Sequence, residues 1–281
     1  MTIIFKALFL CSIFFLIARC SSDNGTVAIP PFSCPTNFVL VPKLYSYTTA
    51  DFCIAKYEMK NSSGAKSDAA GTPWVSITRN DAITACQALG TRYDLITNDQ
   101  WQTVARNIAD VAENWSTGTA YDGQLNPGHS DHVPNNSLAA SKDDTQACEG
   151  TGQTCSDTVW DSQRRTNKLS NGNVVWDLGG NVYEWVKDDN NTPMGADNWS
   201  ANFSTLDNRE IKLGNDQICA DPSVSPYCGF GFGYANYGAG AILRGGYFHG
   251  NDYAGIFGSF LNYAANTPDA LTGFRCVYNQ P

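Results

Sequence analysis

The sequence predicts one domain that mixes helices with short strands. Two segments near its start carry helical periodicity, five short apolar runs follow strand patterning, and long polar stretches separate them. The first strands are expected at Phe38–Val41 and Phe52–Tyr57. The segment from Thr78 to Leu89 then places Ala82, Ile83, Cys86 and Leu89 on one helical face. A second helix starts at Thr97, where Gln100 three residues on completes a capping box. Its stripe is Trp101, Val104, Ala105 and Ile108, and both stripes are expected to pack on a sheet. Later strands are expected at Val182–Val186, Ala241–Arg244 and Phe274–Tyr278. The stretches Ala112–Lys168 and Lys187–Gly240 are rich in Gly, Asn, Asp, Ser and Thr. Loops this long are usually functional, or are held by crosslinks and ions. No internal repeat or low-complexity block interrupts the pattern.

Of 281 residues, 42% are hydrophobic and 12% aromatic, enough for a substantial core, and only 16% are charged. The net charge of −9 argues against a sequence-independent nucleic-acid binder, which needs cations to displace phosphate counterions. An apolar run from Ala7 to Ala18 follows Lys6; it is shorter than the roughly 20 residues that span a bilayer and fits a signal-peptide core. The run ends at Ile17-Ala18-Arg19-Cys20, and a cysteine at that junction resembles the lipidation site of a bacterial lipoprotein. Arg19 departs from the pattern, in which a small residue precedes the cysteine. Residues 1–20 are therefore expected to be a lipoprotein-type signal peptide, 21–33 a polar tether and 34–281 the domain. The expected location is the cell envelope, with the lipid on Cys20 as the only membrane contact. Ser21 does not suggest retention at the inner membrane.

Ten cysteines point to an oxidising compartment. Cys148 with Cys155 and Cys219 with Cys228 each enclose a turn-rich loop, so these are natural short-range pairs. Spacing leaves the connectivity of Cys34, Cys53, Cys86 and Cys276 open. The chain lacks a C-x-x-C pair and has only three histidines, so disulfides are favoured over a structural zinc.

Six blocks then occur in order. They are Phe52-Cys53-Ile54-Ala55-Lys56-Tyr57-Glu58, Pro73-Trp74-Val75-Ser76, Ala85-Cys86-Gln87-Ala88-Leu89-Gly90 with Tyr93 to Trp101, Trp176 to Trp185, Leu243-Arg244-Gly245-Gly246, and Gly273 to Val277. Together they resemble the formylglycine-generating enzyme (sulfatase-modifying factor) family over about residues 34–279. The resemblance implies an α+β, C-type-lectin-like fold with two helices flanking twisted antiparallel strands. It also implies a disulfide between Cys86 and Cys276, which leaves Cys34 and Cys53 for each other.

The Gly179-Gly180-Asn181-Val182-Tyr183-Glu184-Trp185 block resembles a calcium site of that family. By position, Asp177 and Glu184 would give carboxylates and Gly180 and Val182 carbonyls, a hard-oxygen set suited to structural Ca²⁺. The competing reading is that Asn181 and Glu184 only satisfy buried backbone groups at a tight turn. Family members that oxidise a cysteine bind copper through two cysteines after the Arg-Gly-Gly block, a job suited to soft thiolates. The segment Tyr247 to Gly255 contains no cysteine, so neither copper nor iron is expected and no catalytic residue is assigned.

That segment is rich in rings instead. Residues 245–272 contain no Lys or Arg, and Tyr247, Phe248, Tyr253, Phe257, Phe260 and Tyr263 are spaced by Gly, Ala, Ser and Asn. Rigid aromatics among small residues are what binding surfaces use. Phe257 and Leu261 are expected in the core, but not all six rings, since the stretch lacks a strand or helix period. The spacing of Leu243-Arg244-Gly245-Gly246, Gly250, Ala254-Gly255-Ile256-Phe257, Leu261-Asn262 and Gly273-Phe274-Arg275-Cys276 resembles the variable region of diversity-generating retroelement target proteins, within residues 243–278. The resemblance implies that Tyr247, Phe248, His249, Asn251, Asp252, Tyr253, Gly258, Phe260 and Tyr263 vary and bind ligand. The expected function is a surface lipoprotein that binds an external protein or cell-surface ligand without catalysis. The alternative is a periplasmic oxidoreductase of the sulfatase-modifying type.

Overall fold

Thr97 begins a helix as its sequence requires: its hydroxyl accepts from the Gln100 backbone, and the Gln100 side chain accepts from the Thr97 N–H. The computed structural model describes residues 32–189, 199–201, 228–235 and 240–281. In chain order it shows β1 (Phe38–Val41), β2 (Phe52–Ala55), the hairpin β3 (Met59–Asn61) and β4 (Ala65–Ser67), α1 (Arg79–Gln87), β5 (Tyr93–Leu95) and α2 (Asn98–Ala109). A second hairpin, β6 (Thr166–Lys168) and β7 (Val174–Trp176), follows a long loop. The last strands are β8 (Tyr183–Asp189), β9 (Trp199–Ala201), β10 (Gly233–Ala235), β11 (Ala241–Arg244), β12 (Ser259–Tyr263), β13 (Thr272–Phe274) and β14 (Cys276–Asn279). The fold is α+β, as expected.

Two sheets carry the architecture. One is antiparallel in the order β1-β2-β14-β5. The other runs β13-β8-β11-β12-β10-β9, with parallel pairing only at β13·β8 and β10·β12. In α2 the stripe Trp101, Val104, Ala105 and Ile108 is fully buried and shares a core with Ile54, Val186, Phe257, Leu261 and Val277. Phe257 and Leu261 thus lie in the core as expected. No helix among the described residues is long and apolar enough to cross a membrane.

Three expectations need correction. Leu89 lies beyond the end of α1 and is 36% exposed, and the face that α1 buries is Arg79, Ala82 and Cys86. Secondly, the strand expected at Phe274–Tyr278 is two strands broken at Arg275, whose side chain turns into the interior to meet Glu184. Thirdly, the stretches read as loops hold β6, β9 and β10, strands of three residues each. So short a run carries no period.

Disulfides join Cys34 to Cys53, Cys86 to Cys276 and Cys148 to Cys155. Cys228 is also disulfide-bonded, while Cys219 and Cys20 lie outside the described residues. The Cys86–Cys276 bridge ties α1 to β14 across 190 residues of chain, against 7 for Cys148–Cys155. A crosslink removes more unfolded-state entropy when its loop is longer. Replacing Cys86 and Cys276 by Ser is expected to lower the unfolding free energy by about 4–5 kcal/mol, against about 2–3 kcal/mol for Cys148 and Cys155. Denaturant titration of the two variants checks the order, and equal losses would refute it.

Candidate functional site

The frame of the site is a tight turn before β8. Asn181 takes the left-handed conformation at φ 58° and turns every polar group inward. Its N–H donates to the His129 carbonyl (2.8 Å), its carbonyl accepts from the Phe248 N–H (3.1 Å), and its Oδ1 accepts from the Leu138 N–H (2.8 Å). Its Nδ2 donates to Glu58 Oε2 at 2.6 Å. One residue thus ties two points of the long loop before β6, His129 and Leu138, to the segment after β11 and to Glu58. Gly180 precedes it at φ 74°, where a Cβ would lie 2.4 Å from the His129 carbonyl oxygen.

Beneath this turn six charged side chains are buried. Asp177 accepts two hydrogen bonds from Arg165 at 2.7 Å each, and Glu184 accepts from Arg275, the shortest at 2.7 Å. Glu58 and Lys60 complete the set, giving three acids and three bases. Burial pushes the Glu58 carboxyl well above the ordinary range, with Asp177 adding to the effect. Burial also raises Glu184 against the pull of Arg275, and it lowers Lys60.

The residues present do not fit the calcium ion that the resemblance implies. The Asp177 and Glu184 carboxylates are each engaged by a guanidinium, and Arg275 also donates to the Asp177 carbonyl at 3.2 Å. A dication placed there would meet those guanidinium groups at close range in a low dielectric. The competing reading, in which both residues satisfy buried backbone groups, describes Asn181, whereas the Glu184 side chain accepts from the Arg275 guanidinium. Among the described residues no group of three or more His, Cys, Asp or Glu is placed to hold a metal.

Past β11, the Arg244-Gly245-Gly246 block turns the chain outward. Arg244 is fully buried and donates to the Phe257 carbonyl (3.3 Å) and to Asn98 Oδ1. Both glycines have φ 83°, and a Cβ on Gly246 would lie 2.5 Å from Ala254 Cα. The Gly245 carbonyl accepts from Gly180 (3.0 Å) and Gly255 (2.9 Å), joining the turn before β8 to the segment that follows.

On this frame the rings form a continuous chain. Tyr247 stacks on Tyr183 (4.9 Å between centroids), Tyr183 meets Phe260 (5.3 Å), and Phe260 meets Tyr234 (5.5 Å). Tyr234 then packs on Phe232 (6.4 Å), and Phe232 on Tyr253 (5.1 Å). These separations are those of favourable aromatic pairs. A branch runs from Tyr247 to Phe248 (5.7 Å) and His249 (5.9 Å), and His249 contacts His132. Tyr247, Phe248 and Phe260 are half-buried, His249, Asn251 and Asp252 are exposed, and Tyr253 is 49% exposed.

Two of the named positions behave differently. Gly258 is buried, its N–H donating to the Gly255 carbonyl, in a glycine seam where a Cβ on Gly231 would lie 2.8 Å from Gly258 Cα. It belongs to the frame and not to the exposed face. Tyr263 packs edge-on against buried Trp185 (5.7 Å) and donates its hydroxyl to Asp269; burial and that bond push its phenol up to about 12. Sequence reasoning missed Tyr183, Phe232, Tyr234 and His132. The alternation in Phe230-Gly231-Phe232-Gly233-Tyr234 was a usable sign of a strand with one aromatic face.

A family model for the sulfatase-modifying factor enzyme 1-like domain matches residues 25–280. No curated protein matches the chain. Among solved structures, PvdO from Pseudomonas aeruginosa is similar at 14% identity over 82% of this chain and 81% of that one (TM-score 0.34). Treponema denticola variable protein 1 is similar at 14% identity over 82% and 85% (TM-score 0.39). A Major Tropism Determinant I1 variant is similar at 12% identity over 88% and 53% (TM-score 0.40), so this chain spans about half of it.

Two outcomes are expected of the buried charges. Glu184→Ala leaves Arg275 without its carboxylate and is expected to cost about 3–5 kcal/mol of stability by denaturant titration; a loss below about 1 kcal/mol would show that water reaches the guanidinium. Glu58, with its folded pKa raised, contributes stability in full below its ordinary value and loses it as pH climbs towards the folded pKa. Lys60 is lowered and acts in the opposite sense at the alkaline end, so the comparison belongs between about pH 5 and about pH 7. Across that range Glu58→Gln is expected to gain stability relative to the unmodified chain. A constant difference would mean that the carboxyl ionises without cost.

Proposed function

The chain belongs to the sulfatase-modifying factor enzyme 1-like domain family, and on that premise we propose that it is a non-catalytic binding member of it. In this reading a lipid on Cys20 anchors the chain at the bacterial cell surface. A C-terminal lectin-like face, diversified by a retroelement, binds an external protein or cell-surface ligand. One observation carries the reading: a chain of rings from Tyr247 to Tyr253 reaches solvent on a backbone locked by glycines. Tyr and Phe bury much area at low entropic cost, and a fixed backbone reduces the ordering cost of binding.

The division of labour within residues 243–278 supports diversification. His249, Asn251, Asp252 and Tyr253 are exposed, while Tyr247, Phe248 and Phe260 are half-buried against neighbouring rings. Between them, Gly246, Gly250, Ala254, Gly255 and Gly258 make the close backbone approaches. Changes at the exposed members of the first set leave the frame intact, a change at Phe260 also alters the packing between strands, and changes at the second set break it. The cysteine-free segment after Gly246 supports the absence of copper chemistry, because the family's thiolate ligands have no counterpart there.

Deep sequencing of the gene across a population, with a search of its neighbourhood for a template repeat and a reverse transcriptase, tests the proposal. Replacements traceable to adenines are expected at the codons of the first set, with Gly246, Ala254, Gly255 and Leu261 constant. Uniform codons would remove the diversification claim. Stoichiometric copper or iron in the purified protein would mark an oxidoreductase instead.

A further inference from the structure

At one end of the ring chain lies a hollow of about 630 Å³ whose lining includes Ser130, Asp131, Gln163, Asn251, Asp252 and Tyr253. Its charged groups are two carboxylates, and no Lys or Arg lines it. Asp131 spends one oxygen on the Val133 N–H (3.0 Å), whereas exposed Asp252 makes no hydrogen bond or ion pair with the described residues. The walls are held in place. Asn251 donates its N–H to the Ser130 carbonyl (2.7 Å), and the Ser130 N–H donates to Gln163 Oε1 (3.1 Å). The Tyr253 N–H donates to the Gly250 carbonyl (2.9 Å), and the Tyr253 carbonyl accepts from Phe232 (3.1 Å). A half-exposed phenol ring, carried on a backbone bonded at both its N–H and its carbonyl, therefore lines the hollow with two carboxylates.

That combination selects a class of ligand. Carboxylates give charge-assisted hydrogen bonds to a guanidinium or ammonium group, and an aromatic face attracts the same cation through its quadrupole. An anionic group would meet two like charges. A neutral group would gain hydrogen bonds but no coulombic attraction. The geometry points to a socket for a basic side chain, arginine above lysine, presented by the protein that docks on the aromatic face. Arginine is preferred because its planar fork suits both a carboxylate and a ring. The inference rests on the binding function proposed above and adds the charge of the partner. Asp131 and Gln163 lie outside residues 243–278, so part of this preference is built into the constant frame.

The test titrates the full chain with N-acetyl-L-arginine amide, followed by NMR shifts, with the uncharged N-acetyl-L-citrulline amide as comparison. Saturable shifts at Asn251, Gln163 and Tyr253 are expected with the arginine probe, at least tenfold tighter than with citrulline. Asp252→Asn, at an exposed and unbonded position, is expected to weaken arginine binding at least fivefold, and adding Asp131→Asn to weaken it further. Replacing exposed Asp122 and Asp143 by Asn, outside the hollow, removes two negative charges elsewhere and is expected to leave binding within twofold. Equal binding of citrulline, no saturable shift, or equal weakening by the Asp122 and Asp143 pair would overturn the socket. None of these outcomes touches the population survey, so the socket can fail while the binding function stands.

Discussion

Two ion pairs, Arg165–Asp177 and Arg275–Glu184, are buried beside the Asn181 turn, and their closure is the constraint on which the arrangement of loops depends. Each such ion loses several kcal/mol of hydration on burial and recovers it only in near-ideal geometry. Arg275 can reach Glu184 only because the last strand breaks between Phe274 and Cys276. Arg165 can reach Asp177 only with the second hairpin closed, since Thr166 pairs with Trp176 one residue inside each. Glu58 is in turn tied to Asn181, which holds the loops around His129, Leu138 and Phe248. Strand pairing, charge pairing and loop placement therefore form together or not at all.

This network also accounts for the mismatch with a calcium site. The Gly-Gly-Asn turn brings carboxylates and carbonyls together, as a hard cation requires. Here the positive charge comes from guanidinium groups delivered by the neighbouring segments. An arginine fork supplies directional donors as well as charge, so Arg275 also satisfies the carbonyls of Ala55 and Trp176. A bound ion could orient those loops only when present. A covalently attached cation orients them always.

What the sequence made legible follows from what each signal depends on. The α2 cap and stripe are local, and both were readable, as were β1 and β11 to the residue. The short disulfide loop was readable for the same reason. Leu89 lies two residues past the end of α1, where the chain leaves the helix after the cap at Ala88 and passes through Gly90 at φ 141°. The aromatic face was half legible. Rings crowded into residues 247–263 announced themselves, whereas Tyr183, Phe232 and Tyr234 join only through pairing of β8, β10, β11 and β12. His132 and His249 meet although 117 residues apart, which no local pattern foretells.

Frame and face are separable in energy as well as in space. Substitutions at exposed positions away from buried bonds usually change stability by no more than about 0.5 kcal/mol, while those that open a buried ion pair cost several. Asp252 and His249 belong to the first class and Glu184 and Arg275 to the second, while a Cβ on Gly245 or Gly246 would lie 2.7 Å from the Leu178 carbonyl oxygen or 2.5 Å from Ala254 Cα. Between the two lies Phe260, half-buried against both Tyr183 and Tyr234, where a change alters the face and also the packing between strands. A face of this build therefore has graded freedom: widest at the tip around Asn251 to Tyr253, narrower on β12, and none at the glycine seam. Its chemistry is set at the tip, beside Asp131, while its shape is set by the sheet.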